Sequence, residues 1–216
     1  MKQVLYVVVD FYADAMAVRH GALQAEYADH GGTAYFAGKN SARYLVNDWI
    51  LGAIASIVGQ PLAPAPNTAC GHFRISLAAD RARADVHTDP GVDWSGVLYL
   101  NLPGQCRGGT SFYRHKRLGL DGVPPLDEAR RLGFRDPDHL RSTVIAEDSL
   151  DRSRWELAMT VPMRFNRLIL FRPWLWHTAA KNFGDTPETG RLIQIFFFAA
   201  LRQPPATAHR NQPAAS

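Results

Sequence analysis

Cysteine is scarce: Cys70 and Cys106 are the only two in 216 residues. A disulfide framework is therefore excluded as the source of stability, and a reducing compartment, the cytoplasm, is the expectation. Long apolar runs are missing too. Stretches such as Leu5 to Val9 and Ile195 to Leu201 fall far short of the roughly 20 residues that a membrane-spanning helix needs. Asp10 ends the apolar stretch after Met1-Lys2-Gln3 too early for the core of a signal peptide, so this segment reads as a first strand. No run of one charge sign stands out. The net charge of +4, from 24 basic and 20 acidic residues, is spread thinly, which argues against nucleic acid or a membrane as partner. No internal repeat is visible, so solenoids and propellers are set aside. What is present is ordinary for a globular chain: 46% hydrophobic and 20% charged residues. The length predicts one domain over 1–202, followed by a Pro- and Ala-rich tail, 203–216, expected to be disordered.

Within that domain the texture changes along the chain. A helix is predicted from Asp14 to Ala28 and a second from Asp48 to Val58, the latter capped by Asp48 and stopped by Gly59 and Pro61. Both read as packing helices. Short β-like runs follow, His72 to Leu77 and Ser95 to Leu102, separated by turn-forming Asp, Gly and Pro. Residues 116–160 lack a strong period apart from a short helical signal near Leu126 to Leu132, and they read as an insertion between strands. Strands resume at Arg167 to Phe171 and Arg191 to Ala199, joined through a polar turn around Asn182 to Gly190.

The chemistry begins at His87-Thr88-Asp89. With eight His and 15 Asp in the chain, chance alone supplies about half of one such His-x-Asp pair, so context has to carry the weight. An imidazole and a carboxylate two positions apart on extended backbone point to the same side and can reach one ion. A further His would complete the two-His-one-carboxylate set that leaves open positions on non-haem Fe(II). His177, after the strand-like Asn166 to Phe171 and a Pro-marked bend, is the candidate. Arg191 opens the apolar run Leu192 to Phe198. A guanidinium entering such a strand lies at a wet end or needs an anionic partner, and the carboxylate of a cosubstrate would serve.

Together these features resemble the Fe(II)/2-oxoglutarate-dependent oxygenase superfamily, in particular its prolyl-4-hydroxylase-like branch. The resemblance is to an ordered series over roughly residues 70–200: His87-Thr88-Asp89, then Gly96-Val97-Leu98-Tyr99-Leu100-Asn101, then Gly108-Gly109-Thr110-Ser111-Phe112, then Asn166 to Phe171, His177 and Arg191. It implies a mostly β, double-stranded β-helix (jelly roll) fold with N-terminal packing helices. It implies further that His87, Asp89 and His177 hold Fe(II), that Arg191 anchors the 5-carboxylate of 2-oxoglutarate, and that Tyr99 hydrogen-bonds the same carboxylate. Dioxygen would complete the set, with hydrogen abstraction from a substrate C–H bond and hydroxylation as the commonest outcome. The presence of Asp89 disfavours halogenation. Two features depart from the branch: the interval from His177 to Arg191 is long, which makes Lys181 a rival anchor, and the insertion 116–160 has no counterpart and reads as a candidate substrate lid.

The expected substrate is a small molecule such as an amino acid or a biosynthetic intermediate. The alternatives are the same chemistry on a peptide, protein or carrier-bound substrate, and a jelly-roll metal-binding or sensor protein that performs no oxidation. Desaturation, ring formation and epimerisation remain open beside hydroxylation, and the oligomeric state is not legible. His72 reads as a core or edge histidine and His115 as solvated within the basic run Tyr113 to Arg117. Trp174 and Trp176 read as core residues, and Trp94 as equally suited to core or substrate contact. No role attaches to His20, His30, His139 or His209.

Overall fold

The computed structural model describes residues 3–27 and 35–201. The tail expected beyond residue 202, the end of the first predicted helix at Ala28, and His30 and His209 lie outside those residues. The chain is mostly β. In order, it runs β1 (Leu5–Val8), α1 (Ala15–Leu23), β2 (Lys39–Tyr44), α2 (Asp48–Val58), β3 (Leu62–Pro64), β4 (His72–Ser76), β5 (Trp94–Tyr99) and β6 (Gly109–His115). It continues with α3 (Leu126–Arg131), α4 (Pro137–Asp148), β7 (Trp155–Pro162), β8 (Leu168–Phe171), β9 (His177–Ala179) and β10 (Arg191–Ala200). A seven-stranded sheet has the order β1-β8-β5-β10-β4-β2, with β3 also paired to β10, and a three-stranded sheet has the order β7-β6-β9. All the strand pairs are antiparallel. Among the described residues no helix is long and apolar enough to cross a membrane.

The alternation along three strands of the large sheet sorts side chains into two layers, because successive residues of a strand point to opposite faces. Trp94 and Leu98 of β5, Leu168 and Leu170 of β8, and Leu192, Phe196 and Phe198 of β10 share a core with Ile50 and Ile54 of α2 and Ala15 and Ala22 of α1. Residues of opposite parity, Tyr99, Ile169, Phe171, Ile193 and Ile195, instead meet Phe112 of β6 and Val161 of β7 from the small sheet. A third cluster lies on the far side of the small sheet, where Trp155 and Trp176 pack with Leu140 and Val144 of α4 and Ala129 of α3. The order is helices, large sheet, inter-sheet core, small sheet, helices. Arg191, Tyr99 and Ser95 have the parity that faces the inter-sheet layer.

Several local expectations need revision. The N-cap of α2 is Asn47, whose side chain accepts from the Ile50 N–H, and Asp48 is the first helical residue; Gly59 closes the helix in the left-handed region at φ 71°. Within 116–160 the short helix is present as α3, but α4 and the start of β7 are there as well. The signal for α4 is Asp136-Pro137: the Asp136 side chain accepts from the His139 N–H, and Pro137 sits in the first turn. β7 escapes pattern reading because it is an edge strand whose residues 156–160 are all exposed on both faces. Trp49, at an apolar position of α2, is 52% exposed and rests against the rings of Phe11 and Tyr12.

Gly109 shows why the Gly-Gly element has no side chain at this point. A Cβ there would fall on the carbonyl oxygen of Val161 in the paired strand and lie 2.9 Å from the Met163 nitrogen. Gly109→Ala is expected to destabilise the protein by about 1–3 kcal/mol, the usual cost of forced overpacking. The midpoint of urea unfolding, with the slope unchanged, is the check, and an unmoved midpoint would contradict the close approach of β6 and β7.

Candidate metal centre and cavity

His87 and Asp89 lie in the loop between β4 and β5, and His177 is the first residue of β9. The loop is laid against β9 by a two-way backbone bridge, His87 N–H to His177 O at 3.0 Å and His177 N–H to His87 O at 2.9 Å, and the Asp89 N–H donates to Pro173 O at 2.9 Å. This pairing brings ligand atoms of His87, Asp89 and His177 within 4.8 Å of one another, although 88 residues separate the last two in sequence.

The hydrogen bonds around the rings decide which nitrogens face inward. His87 Nδ1 lies 2.8 Å from Asp85 O and His177 Nδ1 lies 2.8 Å from Leu175 O. A carbonyl oxygen only accepts, so both Nδ1 atoms carry hydrogen, and in the neutral ring it is Nε2 that presents the lone pair. Those Nε2 atoms sit 3.7 and 3.3 Å from the oxygens of Asp89. The Ser95 hydroxyl donates to Asp89 Oδ2 at 2.6 Å and orients the carboxylate. Burial, followed by repulsion from His177, pushes His87 down to about 4. Burial raises the Asp89 carboxyl, but the neighbouring imidazoles and the Ser95 hydroxyl outweigh it and bring the group to about 2. Near neutral pH the centre thus offers a neutral imidazole and an ionised carboxylate. Lone pairs and a negative charge converging in a buried space repel unless a cation lies between them, which is the donor set of a divalent metal site with open positions.

The centre opens on a cavity of about 640 Å³ lined by Phe36, Arg74, Thr110, Phe171, Arg191 and Ile193 among others. Arg191 is 4% exposed. Among the described residues its guanidinium has neither a hydrogen bond nor an ion pair; its Nε is buried without a partner, and its carbon lies 5.9 Å from the centre of the Tyr99 ring. Burial pulls the guanidinium down from its usual range. An unpaired buried charge costs several kcal/mol, so this geometry is suited to an anion that is not part of the chain. Asn101 holds the arginine's backbone from both sides: its Nδ2 donates to Gly190 O and its Oδ1 accepts from Leu192 N–H, each at 2.8 Å. Lys181 also lines the cavity but is exposed at its rim. Tyr99 is fully buried, with its hydroxyl 2.8 Å from Thr110 Oγ1, and it is Thr110 rather than Tyr99 that lines the cavity.

A second cavity, about 950 Å³, reaches Asp89 from the side of α4, where Arg141, Ile145 and Leu150 form its wall. In the lining of the first cavity, Asp85 accepts from Arg152 Nε at 2.6 Å and from the Thr178 hydroxyl at 2.7 Å, and Arg152 also donates to the Tyr113 hydroxyl. This network ties the segment after α4 to the loop that carries His87.

Other sequence readings change. His115 is not solvated: it is completely buried, with Nε2 2.9 Å from Asp148 Oδ2 and Nδ1 accepting from the Leu118 N–H. It fastens the end of β6 to the end of α4 and lies away from the cavity, as does the basic run around it. Trp94 has the parity of the helix-facing layer and packs there, with Arg172 stacked 3.8 Å above its ring. Trp176 is buried as expected, while Trp174 is 43% exposed. His72 bonds Ser41 O through Nδ1 at 2.7 Å, a structural tie to β2. Reading the sequence missed Asp85, Ser95 and Arg74. For Arg74 a signal existed, a cation alternating with Phe73 and Ile75 inside a strand.

The comparisons with known proteins fit this geometry. HygX from Streptomyces hygroscopicus, solved with nickel and 2-oxoglutarate, superimposes with a TM-score of 0.51 at 13% identity, covering 92% of this chain and 83% of the other. The same protein with hygromycin B also bound gives 0.51 at 12% identity over the same shares. SnoN, a non-haem 2-oxoglutarate-dependent epimerase from nogalamycin biosynthesis, gives 0.50 at 17% identity, covering 96% and 84%. At these identities the likeness is one of fold: the chain has the fold of 2-oxoglutarate-dependent enzymes. Residues 1–198 match the model of the family of unknown function DUF6445, and the chain belongs to that family. No curated protein matches the sequence.

The buried His115–Asp148 pair allows a test of the fastening independent of the metal centre. His115→Ala is expected to lower stability by about 1.5–3 kcal/mol, the usual worth of a hydrogen bond to a charged group, while Arg154 at 3.5 Å keeps Asp148 partnered. Chemical denaturation measures the loss; a variant as stable as wild type would show that the pair does not hold α4 to the sheet.

Proposed function

We propose that the protein is an Fe(II)- and 2-oxoglutarate-dependent oxygenase that hydroxylates a C–H bond of a small molecule. The observation that carries this reading is the pairing, within one cavity, of two imidazole lone pairs and an ionised carboxylate at one end with a buried, unpaired arginine at the other. In this reading residues 1–202 form one jelly-roll oxygenase domain, a double-stranded β-helix whose facing sheets enclose the centre. His87, Asp89 and His177 are the iron ligands, and Arg191 receives the 5-carboxylate of 2-oxoglutarate in bidentate geometry. Thr110, which shares the cavity lining with Arg191 and is held by Tyr99, would bond that same carboxylate, which gives Tyr99 an indirect part. The prolyl-4-hydroxylase-like branch is supported by the ordered motif series alone.

The iron, with 2-oxoglutarate and dioxygen, supplies the hydrogen-abstracting oxidant while 2-oxoglutarate is converted to succinate and carbon dioxide. The chain supplies geometry. The carbonyls of Asp85 and Leu175 fix both imidazoles, Ser95 fixes the carboxylate, and Asn101 fixes the backbone on either side of Arg191. Phe36, Phe171, Ile193 and Ile195 make apolar walls that limit water around the reacting atoms. The segment 116–160 contributes the α4 wall of the second cavity, which supports its part as a substrate lid. Epimerisation is the favoured second outcome, because SnoN bears that description and the same hydrogen abstraction begins it.

The deciding experiment is anaerobic titration of the metal-free protein with Fe(II) and 2-oxoglutarate, followed by visible absorption. A weak metal-to-ligand charge-transfer band is expected in wild type and is expected to vanish in His177→Ala and Asp89→Ala. Arg191→Gln is expected to weaken 2-oxoglutarate by about one to two orders of magnitude, from the loss of charge-assisted hydrogen bonds worth about 1.5–3 kcal/mol. Asn101→Ala, which frees both neighbours of Arg191, should weaken it less. Iron binding without a band in wild type would overturn the oxygenase reading in favour of a metal-binding or sensor protein.

A further inference from the structure

A second arginine faces the same cavity. Arg74 lies on β4, where it pairs with Ile193 of β10, while Arg191 pairs with Ser76. The two arginines are thus diagonal neighbours on one face of the sheet, with Cα atoms roughly 7–8 Å apart in such an arrangement. Arg74 is half-buried, and its Nε donates to Asn40 Oδ1 at 2.7 Å. No carboxylate among the described residues pairs with it, and its Nη atoms have no bonded partner there. Its guanidinium carbon lies 5.8 Å from the Phe36 ring, which in turn lies 4.2 Å from the ring of His87. Phe36 therefore spans the space between the candidate metal centre and Arg74.

The charges of the cavity lining favour an anion. Arg74, Arg81, Arg152, Lys181 and Arg191 line it against three carboxylates, Asp80, Asp85 and Asp89. Of these, Asp85 is engaged by Arg152, Asp80 accepts from the Leu77 N–H, and Asp89 faces the two histidines. In the function proposed above, the metal takes one carboxylate of 2-oxoglutarate and Arg191 takes the other. Arg74 is left over. It is less buried than Arg191 and shares the cavity lining with Phe36, Ala37 and Arg81. Burial and the neighbouring Arg191 draw its guanidinium down to about 10, so it remains charged at neutral pH.

We infer that Arg74 holds a carboxylate of the substrate, which makes the substrate a small organic acid whose acid group lies at Arg74 and whose body runs along Phe36 towards the metal centre. The inference rests on the 2-oxoglutarate reading of the site, since it assigns Arg191 to the cosubstrate and leaves Arg74 for the substrate. It goes beyond that reading by naming the substrate class and the residue that selects it.

The test uses Zn(II)-loaded protein saturated with 2-oxoglutarate, with benzoate and its neutral amide, benzamide, as probes observed by ligand NMR. Benzoate is expected to bind and benzamide is not. Arg74→Gln is expected to weaken benzoate about tenfold or more, and Arg74→Lys, which keeps the charge, to weaken it less. The affinity of 2-oxoglutarate, measured by calorimetry on the same Zn(II)-loaded proteins, is expected to stay within about twofold of wild type in Arg74→Gln while it falls in Arg191→Gln. Four results would overturn the inference: no benzoate binding to wild type, equal binding of acid and amide, benzoate binding retained in Arg74→Gln, or 2-oxoglutarate weakened as much by Arg74→Gln as by Arg191→Gln. The last would make Arg74 a second anchor of the cosubstrate. Inorganic phosphate displacing benzoate at lower concentration than acetate does would replace the carboxylate by a phosphate ester. Failure of the underlying reading has a separate signature, a wild-type protein that does not bind 2-oxoglutarate at all.

Discussion

The two-way backbone bridge between His87 and His177 is the contact on which the site depends. It joins the loop after β4 to β9 of the small sheet, and β9 is held in turn by β6 at the pair Phe112 and His177. Two hydrogen bonds of ordinary length thereby set the separation of the imidazoles, and the carbonyls two residues before each His set which nitrogen each presents. The side chains alone would not fix two imidazoles and a carboxylate at these separations. The backbone imposes the convergence, and the resulting repulsion is what a cation relieves.

The large sheet applies the same logic to the anion end of the cavity. Because strand residues alternate between faces, β10 turns Leu192, Phe196 and Phe198 towards the helices and Arg191, Ile193 and Ile195 towards the small sheet. A buried guanidinium is tolerated at the start of this strand because Asn101 pins the main chain beside it and the cavity gives it space, while no acid among the described residues pairs with it. β4 repeats the device with Arg74. The fold thus holds positive charge at one end of the cavity and nitrogen lone pairs with a carboxylate at the other, an asymmetry suited to a chelating dianion bridging the two.

Legibility followed the strength of local constraint. Strands β8 and β10 and helix α2 were readable to within a residue because their apolar positions keep a clear period, and β5 was read three residues too long at its end, where Leu100 is buried beyond the last paired residue. β2 and β7 were not readable, because an edge strand with exposed faces carries no apolar alternation, and neither was α4, whose buried face amounts to Leu140, Val144 and Asp148. His115 misled for a related reason: in sequence it sits among Arg114, Lys116 and Arg117, yet the pleat of β6 turns it inward, where Asp148, 33 residues away, satisfies it. Trp94 was ambiguous until its parity on β5 put it on the helix side.

The sequence by itself determined the inventory: an imidazole and a carboxylate two positions apart, a further histidine after a strand, arginines set into apolar strands, and glycines where β6 needs close approach. Those follow from residue chemistry and from periods that act over a few positions. Only the tertiary structure decided which of them meet. The approach of His177 to the dyad, the burial of Arg191 with no acid paired to it among the described residues and the turn of Arg74 into the same cavity depend on strand pairings between residues more than 80 positions apart, and no local pattern encodes the distance between groups that the chain brings together only when the sheets close.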